Sequence, residues 1–167
     1  MQKIFATPAE VRLACRRGDF SAQTSGQAPG FAQANLCILP SKYAYDFLLY
    51  CVRNPKPCPL LHVLEKGVWE FYDKKGGELI DIRKDLPKYR VYKDGVLQRS
   101  ASGDTEISEI PQELLDQSED EFVVFVIGCS FSFEEALLKA QVSQSLRFKG
   151  LLQYTGGVLF HPECCIR

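Results

Sequence analysis

Apolar positions along the chain fall into short blocks, some at helical spacing and some continuous, divided by proline- and glycine-rich breaks. Thr7-Pro8-Ala9-Glu10 predicts the start of a first helix: Thr7 caps, Pro8 suits the first turn, and Glu10 completes a capping box. Gly18 predicts its end. Residues 20–32 are Ser, Gln, Gly, Ala and Pro-rich without a period and read as a loop. Residues 33–39 read as a short strand. Ser41 is expected to cap a second helix whose buried stripe is Ala44, Phe47, Leu48 and Cys51, spaced i, i+3, i+4, i+7. Pro55, Pro57 and Pro59 stop that helix, and residues 60–64 make the next strand.

After Gly67 the pattern is less regular. Residues 89–92 and 96–99 flank Lys93-Asp94-Gly95, a hairpin signal with Asp-Gly at its turn. Residues 100–121 hold eight Asp or Glu and no Lys or Arg, which reads as a solvated loop with a short helix near 111–115. Residues 122–127 are a continuous β-branched and aromatic run, the mark of a strand covered on both faces. The run meets Gly128-Cys129-Ser130-Phe131-Ser132 and turns into a helix from Phe133, with Ser132 and Glu135 as a second capping box. Strands alternating with helices, plus a hairpin, predict an α/β fold: a mixed sheet with flanking helices.

Composition narrows the classes. At 167 residues the chain suits one domain, and 46% hydrophobic with 25% charged residues is the globular norm. The net charge of −1 argues against a nucleic-acid partner, and the longest strongly apolar run, residues 122–129, is too short to span a bilayer. Seven cysteines occur at 15, 37, 51, 58, 129, 164 and 165, with no C-x-x-C and only two histidines, His62 and His161. That pattern fits neither a disulfide scaffold nor a structural zinc site and reads as a reducing compartment, with Cys37 and Cys51 as core residues. The N-terminus shows no secretory apolar region and no clear import signal.

Four segments could carry chemistry. The strand-to-helix turn at 128–133 is the best generic candidate, since helix N-termini bind carboxylates and phosphates and α/β ligands favour strand ends. It faintly resembles the G-x-S-x-G elbow, but the last glycine is missing; the plain alternative is that Ser130 and Ser132 cap the helix. The loop Gln23-Thr24-Ser25-Gly26-Gln27-Ala28-Pro29-Gly30, running into Gln33 and Asn35, offers close backbone approach and uncharged hydrogen-bonding groups, or is a connector. Lys56 and Cys58 sit in a proline-stiffened loop. The stretch 81–90 alternates acid and base; it reads as a solvated, ion-paired surface or, with Lys56, as Arg83, Lys88 and Arg90 supplying cations to an anionic substrate.

Five stretches carry a resemblance: Gln23-Thr24-Ser25-Gly26-x-Ala28-Pro29-Gly30, Gln33-Ala34-Asn35-Leu36, residues 53–60 (Arg-Asn-Pro-Lys-Pro-Cys-Pro-Leu), Asp85-Leu86-Pro87-x-Tyr89-Arg90-Val91-Tyr92 and residues 128–137. Together they resemble the N-terminal part of the hydro-lyase family that includes mitochondrial D-glutamate cyclase. The match covers about residues 7–140, so 1–140 is expected to be the family-like portion and 141–167 a divergent tail outside its pattern. The resemblance implies a lyase that dehydrates D-glutamate to 5-oxo-D-proline in the mitochondrial matrix, or in the cytosol where an import segment is missing. It hands over no catalytic list and no organic cofactor, and a divalent cation stays open, although Asp81 and Asp85 lack a recognised ligand spacing. It implies a small-molecule acid as partner, no nucleic acid or membrane, and is compatible with a homo-oligomer.

Under that resemblance the chemistry assigns roles. The substrate carboxylates fall to the 130–133 turn, through Ser130 and Ser132, and to Lys56 or Arg83. Glu134 or Asp81 takes the proton, as a carboxylate raised by burial can. Thr24, Ser25, Gln33 and Asn35 orient the substrate, and Cys58 or Cys129 is available as a nucleophile. Two other readings stand beside the lyase: a truncated, inactive product whose missing strands expose the 122–127 strand as a sheet edge, and a binding module for an acidic metabolite.

Overall fold

The computed structural model describes residues 4–73, 77–110, 122–129, 132, 139–140 and, as backbone, 158–160. The first helix, α1 (Pro8–Arg16), begins as its sequence predicts: the Thr7 side chain accepts from the Glu10 N–H, and the Glu10 carboxylate accepts from the Ala6 N–H at 2.9 Å. Gly18, at φ 73°, closes the helix with a paired motif, Gly18 N–H to the Cys15 carbonyl and Asp19 N–H to the Ala14 carbonyl, both at 2.9 Å. β1 (Ala32–Pro40) leads straight into α2 (Ser41–Arg53). Ser41 is not the cap: Pro40 holds that position without a side-chain bond, because the helix springs directly from the strand. The expected stripe is inward, with Cys51 buried and Ala44, Phe47 and Leu48 half-buried.

β2 (Leu60–Leu64) follows the proline loop. The irregular stretch after Gly67 is a small hairpin, β3 (Glu70–Tyr72) with β4 (Leu79–Asp81). A second hairpin, β5 (Tyr92–Lys93) with β6 (Val96–Leu97), turns on Asp94 and Gly95, both at positive φ, as a type I′ turn requires. It is shorter than expected because Tyr89 bridges Ile107 instead. β7 (Phe122–Gly128) and β8 (Val158–Phe160) complete the list. The expected short helix near 111–115 and the helix from Phe133 lie outside the described residues, apart from Ser132 and residues 139–140.

Among the described residues the main sheet has four strands in the order β2-β7-β1-β8. Helices flank it, so the α/β class holds. Every paired neighbour is antiparallel, however, where strand–helix alternation suggested a sheet with parallel pairs as well. β1 and β2 do run the same way, and α2 joins them, but β7 is inserted between them in the opposite sense, making a split β-α-β unit.

β7 is therefore central, which corrects the expectation of an exposed edge at 122–127. Its side chains alternate between two covered faces. Phe125 meets the α2 ring of Phe47 edge-on, with centroids 4.9 Å apart. Val124 and Val126 join Ala34, Leu64, Ile80, Ile82, Leu86 and Tyr89 in the larger core beneath β3 and β4. A smaller core under α1 gathers Phe5, Val11, Ala14, Phe20 and Ala28. β8 pairs its backbone with residues 32–34 of β1, so part of the 141–167 stretch supplies an edge strand.

Candidate functional site at one end of the sheet

The loop before β1 is folded inward rather than merely connecting. Gly26 (φ 75°) and Ala28 (φ 43°) take left-handed backbone, and the Gln27 N–H returns to the Thr24 carbonyl at 3.0 Å. This turn buries Thr24 and Gln27 beside Gln33. The Thr24 hydroxyl donates to Gln33 Oε1 at 2.9 Å, and Gln33 Nε2 donates to the Gln27 carbonyl at 3.4 Å. Gln27 Oε1 accepts from the Phe5 N–H at 2.9 Å, which ties the loop to the chain entering α1.

The turn leaving β7 arrives at the same place. Gly128 N–H donates to the Pro59 carbonyl at 2.9 Å, and Cys129 N–H to the Gln33 carbonyl at 3.3 Å. The Ser132 hydroxyl accepts from the Gln33 N–H at 2.9 Å and donates to the Gln33 carbonyl at 3.1 Å. A methyl group on Gly128 would stand 3.3 Å from Pro59 Cγ and 3.4 Å from Leu61 Cδ1, so any side chain there would have to push these neighbours aside by a few tenths of an ångström. Three of the segments singled out by sequence, 23–35, 53–60 and 128–132, thus meet where β1 begins and β7 ends.

The expected residues separate accordingly. Thr24, Gln33, Cys129 and Ser132 share one hydrogen-bonded cluster; Cys58 precedes Pro59 at its border. Ser25 and Asn35 are half-buried nearby in sequence, Asn35 lying opposite Ile127 in the sheet. Lys56 is exposed and has no ion pair among the described residues. Ser130 and Glu134 lie outside the described residues. Gln27 had no assigned role, though its place in the glycine-rich loop was the available signal.

Asp81 and Arg83 belong to a different network. Arg83 Nε donates to Asp81 Oδ1 at 2.8 Å, and its guanidinium also reaches Glu70. Asp85, fully buried, pairs with Arg16 from α1 and accepts from the Asp81 N–H at 2.8 Å; Arg12, also buried, pairs with Glu78. Burial alone would push the Asp81 carboxyl up, but the Arg83 hydrogen bonds outweigh it and hold Asp81 below the usual carboxylate range, the reverse of what a base needs. Lys88 and Arg90 both bond Glu106, at 3.1 and 2.9 Å. The 81–90 stretch is ion-paired as one reading had it, yet it is not a solvated surface: Asp81, Ile82, Asp85, Leu86 and Tyr89 are buried. Those bonds occupy the cations expected to meet a substrate, except Lys56.

The convergent end holds uncharged donors and acceptors bonded to one another, which fix the backbone there, with an exposed lysine on the adjoining loop. A backbone held this way can place the side chains around it at low cost in entropy. Among the described residues no cluster of three or more His, Cys, Asp or Glu is arranged to hold a metal ion. An open cleft of about 630 Å³ runs along α1, lined by residues such as Leu13, Arg17 and Phe20, and none of the residues expected from sequence lines it.

Comparison with known proteins finds relatives over about four fifths of the chain. No family model matches the chain. The chain is 47% identical over 137 residues to a protein of Rhizobium johnstonii named "Putative hydro-lyase", covering 82% of this chain and 46% of that protein. Relatives bearing the same description occur in Azorhizobium caulinodans, 49% identical over 137 residues (82% of this chain, 46% of the relative), and in Staphylococcus haemolyticus, 47% identical over 135 residues (81% and 47%). The chain spans about half the length of the curated relatives it matches. These relatives are bacterial, which lends no support to a location specific to mitochondria. No described helix is long and apolar enough to cross a membrane.

Proposed function

We propose that this chain carries part of a hydro-lyase centre that dehydrates D-glutamate to 5-oxo-D-proline. The observation that carries this reading is the meeting of the 23–35, 53–60 and 128–132 segments at one end of the sheet, together with hydro-lyase relatives over four fifths of the chain.

The reaction closes a ring. The amine nitrogen attacks the γ-carboxyl carbon, a C–N bond forms, and one carboxylate oxygen leaves as water. The substrate ammonium gives up two protons, and both depart with that oxygen, so the net charge is unchanged. Holding the nitrogen against the γ-carbon is worth up to roughly 7–11 kcal/mol in favourable intramolecular cases. Charge growing on the carboxylate oxygens needs nearby donors, each worth about 3–4 kcal/mol when preorganised. In this reading Lys56 and the 130–133 turn, with Ser130 and Ser132, receive the two carboxylates. Thr24, Ser25, Gln33 and Asn35 shape the cradle, Gln33 chiefly by holding the loop and the turn together. Glu134 takes a proton from the ammonium and passes it to the departing oxygen. Asp81 and Arg83 act on each other instead, and no thiol of Cys58 or Cys129 is required because the nucleophile is the substrate's own nitrogen.

The test is product formation, read by chiral chromatography after incubation with D- or L-glutamate. The reading expects 5-oxo-D-proline from the D-isomer, and a drop of roughly tenfold or more (about 1.4 kcal/mol in the barrier) in Lys56→Ala with an unchanged melting midpoint. A folded chain that binds D-glutamate without forming product would instead be a binding module. Unaltered turnover in Lys56→Ala would remove Lys56 from the site.

A further inference from the structure

Three cysteines from separate parts of the chain lie together on the α2 side of the structure: Cys37 in β1, Cys51 in the last turn of α2, and Cys58 in the proline loop. The thiols of Cys51 and Cys58 are within hydrogen-bonding reach of each other, and both act electrostatically on Cys37. The chain holds the closer pair in place. Asn54 N–H bonds the Tyr50 and Cys51 carbonyls, and Cys58 N–H bonds the Asn54 carbonyl at 3.0 Å, so the loop folds back on the end of α2. Pro55, Pro57 and Pro59 stiffen the loop.

We propose that Cys51 and Cys58 form a reversible disulfide, a thiol-modification site at the junction of α2 and the proline loop. The oxidant is a peroxide. The Cys58 thiolate attacks the peroxide O–O bond, an S–O bond forms, and hydroxide leaves and is protonated to water. The Cys51 sulfur then attacks the Cys58 sulfenic sulfur, the S–S bond forms, the S–O bond breaks, and a second water departs. Two thiols and one hydrogen peroxide become one disulfide and two waters, the sulfurs losing two electrons in all. The order of events follows accessibility: Cys58 is half-buried, whereas Cys51 is buried. Burial pushes the Cys51 thiol up, and it pushes Cys37 up to about 11, so neither is the sulfur that meets the peroxide first.

The pair differs from the other described cysteines in this. Cys15 is held by α1 and pushed up to about 12, first by burial and then by the nearby Asp85 charge; Cys129 directly follows β7. The proposal does not depend on catalysis. The experiment treats the reduced chain with dilute hydrogen peroxide, blocks remaining thiols with iodoacetamide under denaturing conditions, and maps peptides by mass spectrometry. The expected result is a loss of two hydrogens from the intact mass, a peptide pair joined between Cys51 and Cys58, and full return with dithiothreitol. In Cys51→Ser the reaction should stop at a Cys58 sulfenic acid that dimedone captures. A linkage through Cys37, a linkage between chains, or unmodified Cys51 and Cys58 after the other thiols have oxidised would overturn it; the peptide map of the unmutated chain decides this even if Cys51→Ser does not fold.

Discussion

Gln33 bonds through both its main chain and its side chain: Thr24 and Gln27 hold the amide, while Ser132 and Cys129 hold the backbone. Replacing Thr24 with valine keeps the volume and removes the donor to a buried oxygen. Thr24→Val is expected to cost about 1–3 kcal/mol, read as a lower urea midpoint at unchanged slope. Sequence marked Thr24, Gln33 and Ser132 as polar residues of interest, and the structure does bring them together. It did not reveal that they bond one another, because polarity alone does not say whether a side chain faces a ligand or a neighbour. Asp81 was harder to read: alternating charge in 81–90 looks solvated until the ion pairs that bury it are seen. Its folded-state carboxyl is held below the ordinary 3.8, so the ionised form stabilises the fold. That contribution is complete above the ordinary value and fades as pH falls through the lowered one. Glu106, held low by Lys88 and Arg90 against the opposing effect of burial, behaves alike. Urea titrations from neutral to strongly acidic pH should therefore show the stability gap between the unmutated chain and Asp81→Asn narrowing towards acid.

At the scale of elements, the Phe47–Phe125 contact ties α2 to the central strand of the sheet. Phe125 is 1% exposed and Phe47 only half-buried. Phe125→Ala is expected to cost about 3–5 kcal/mol, with a smaller loss for Phe47→Ala, measured as changes in urea midpoint. The elements themselves were largely legible. The Thr7 cap, the Gly18 stop, the α2 stripe, the proline break and the β7 run each follow from a local rule that tertiary packing did not override. The missed hairpin, β3 with β4, has three-residue strands with little alternation to read, and it is fixed by what it covers: Ile80 lies in the larger core beneath the sheet. The Asp94-Gly95 turn was legible because only a few residues accept two successive positive φ values.

Across the whole molecule the strand order is the feature that sequence could not supply. β7 lies some 60 residues beyond β2 yet sits between β2 and β1, and nothing local in residues 122–128 announces that insertion. The same insertion brings the 128–132 turn onto Gln33 and creates the candidate site. β8 closes the other side of β1 by backbone pairing, which any extended segment can provide. The central claim is that this assembly recognises D-glutamate although the chain spans about half the length of its relatives. The most direct check is a thermal melt of the 167-residue chain with excess D-glutamate, with L-glutamate as the control. Binding to the native state alone must raise the midpoint. The account predicts one cooperative transition moved upward by the D-isomer only; a cooperative transition that neither isomer moves, or that both move equally, would contradict it.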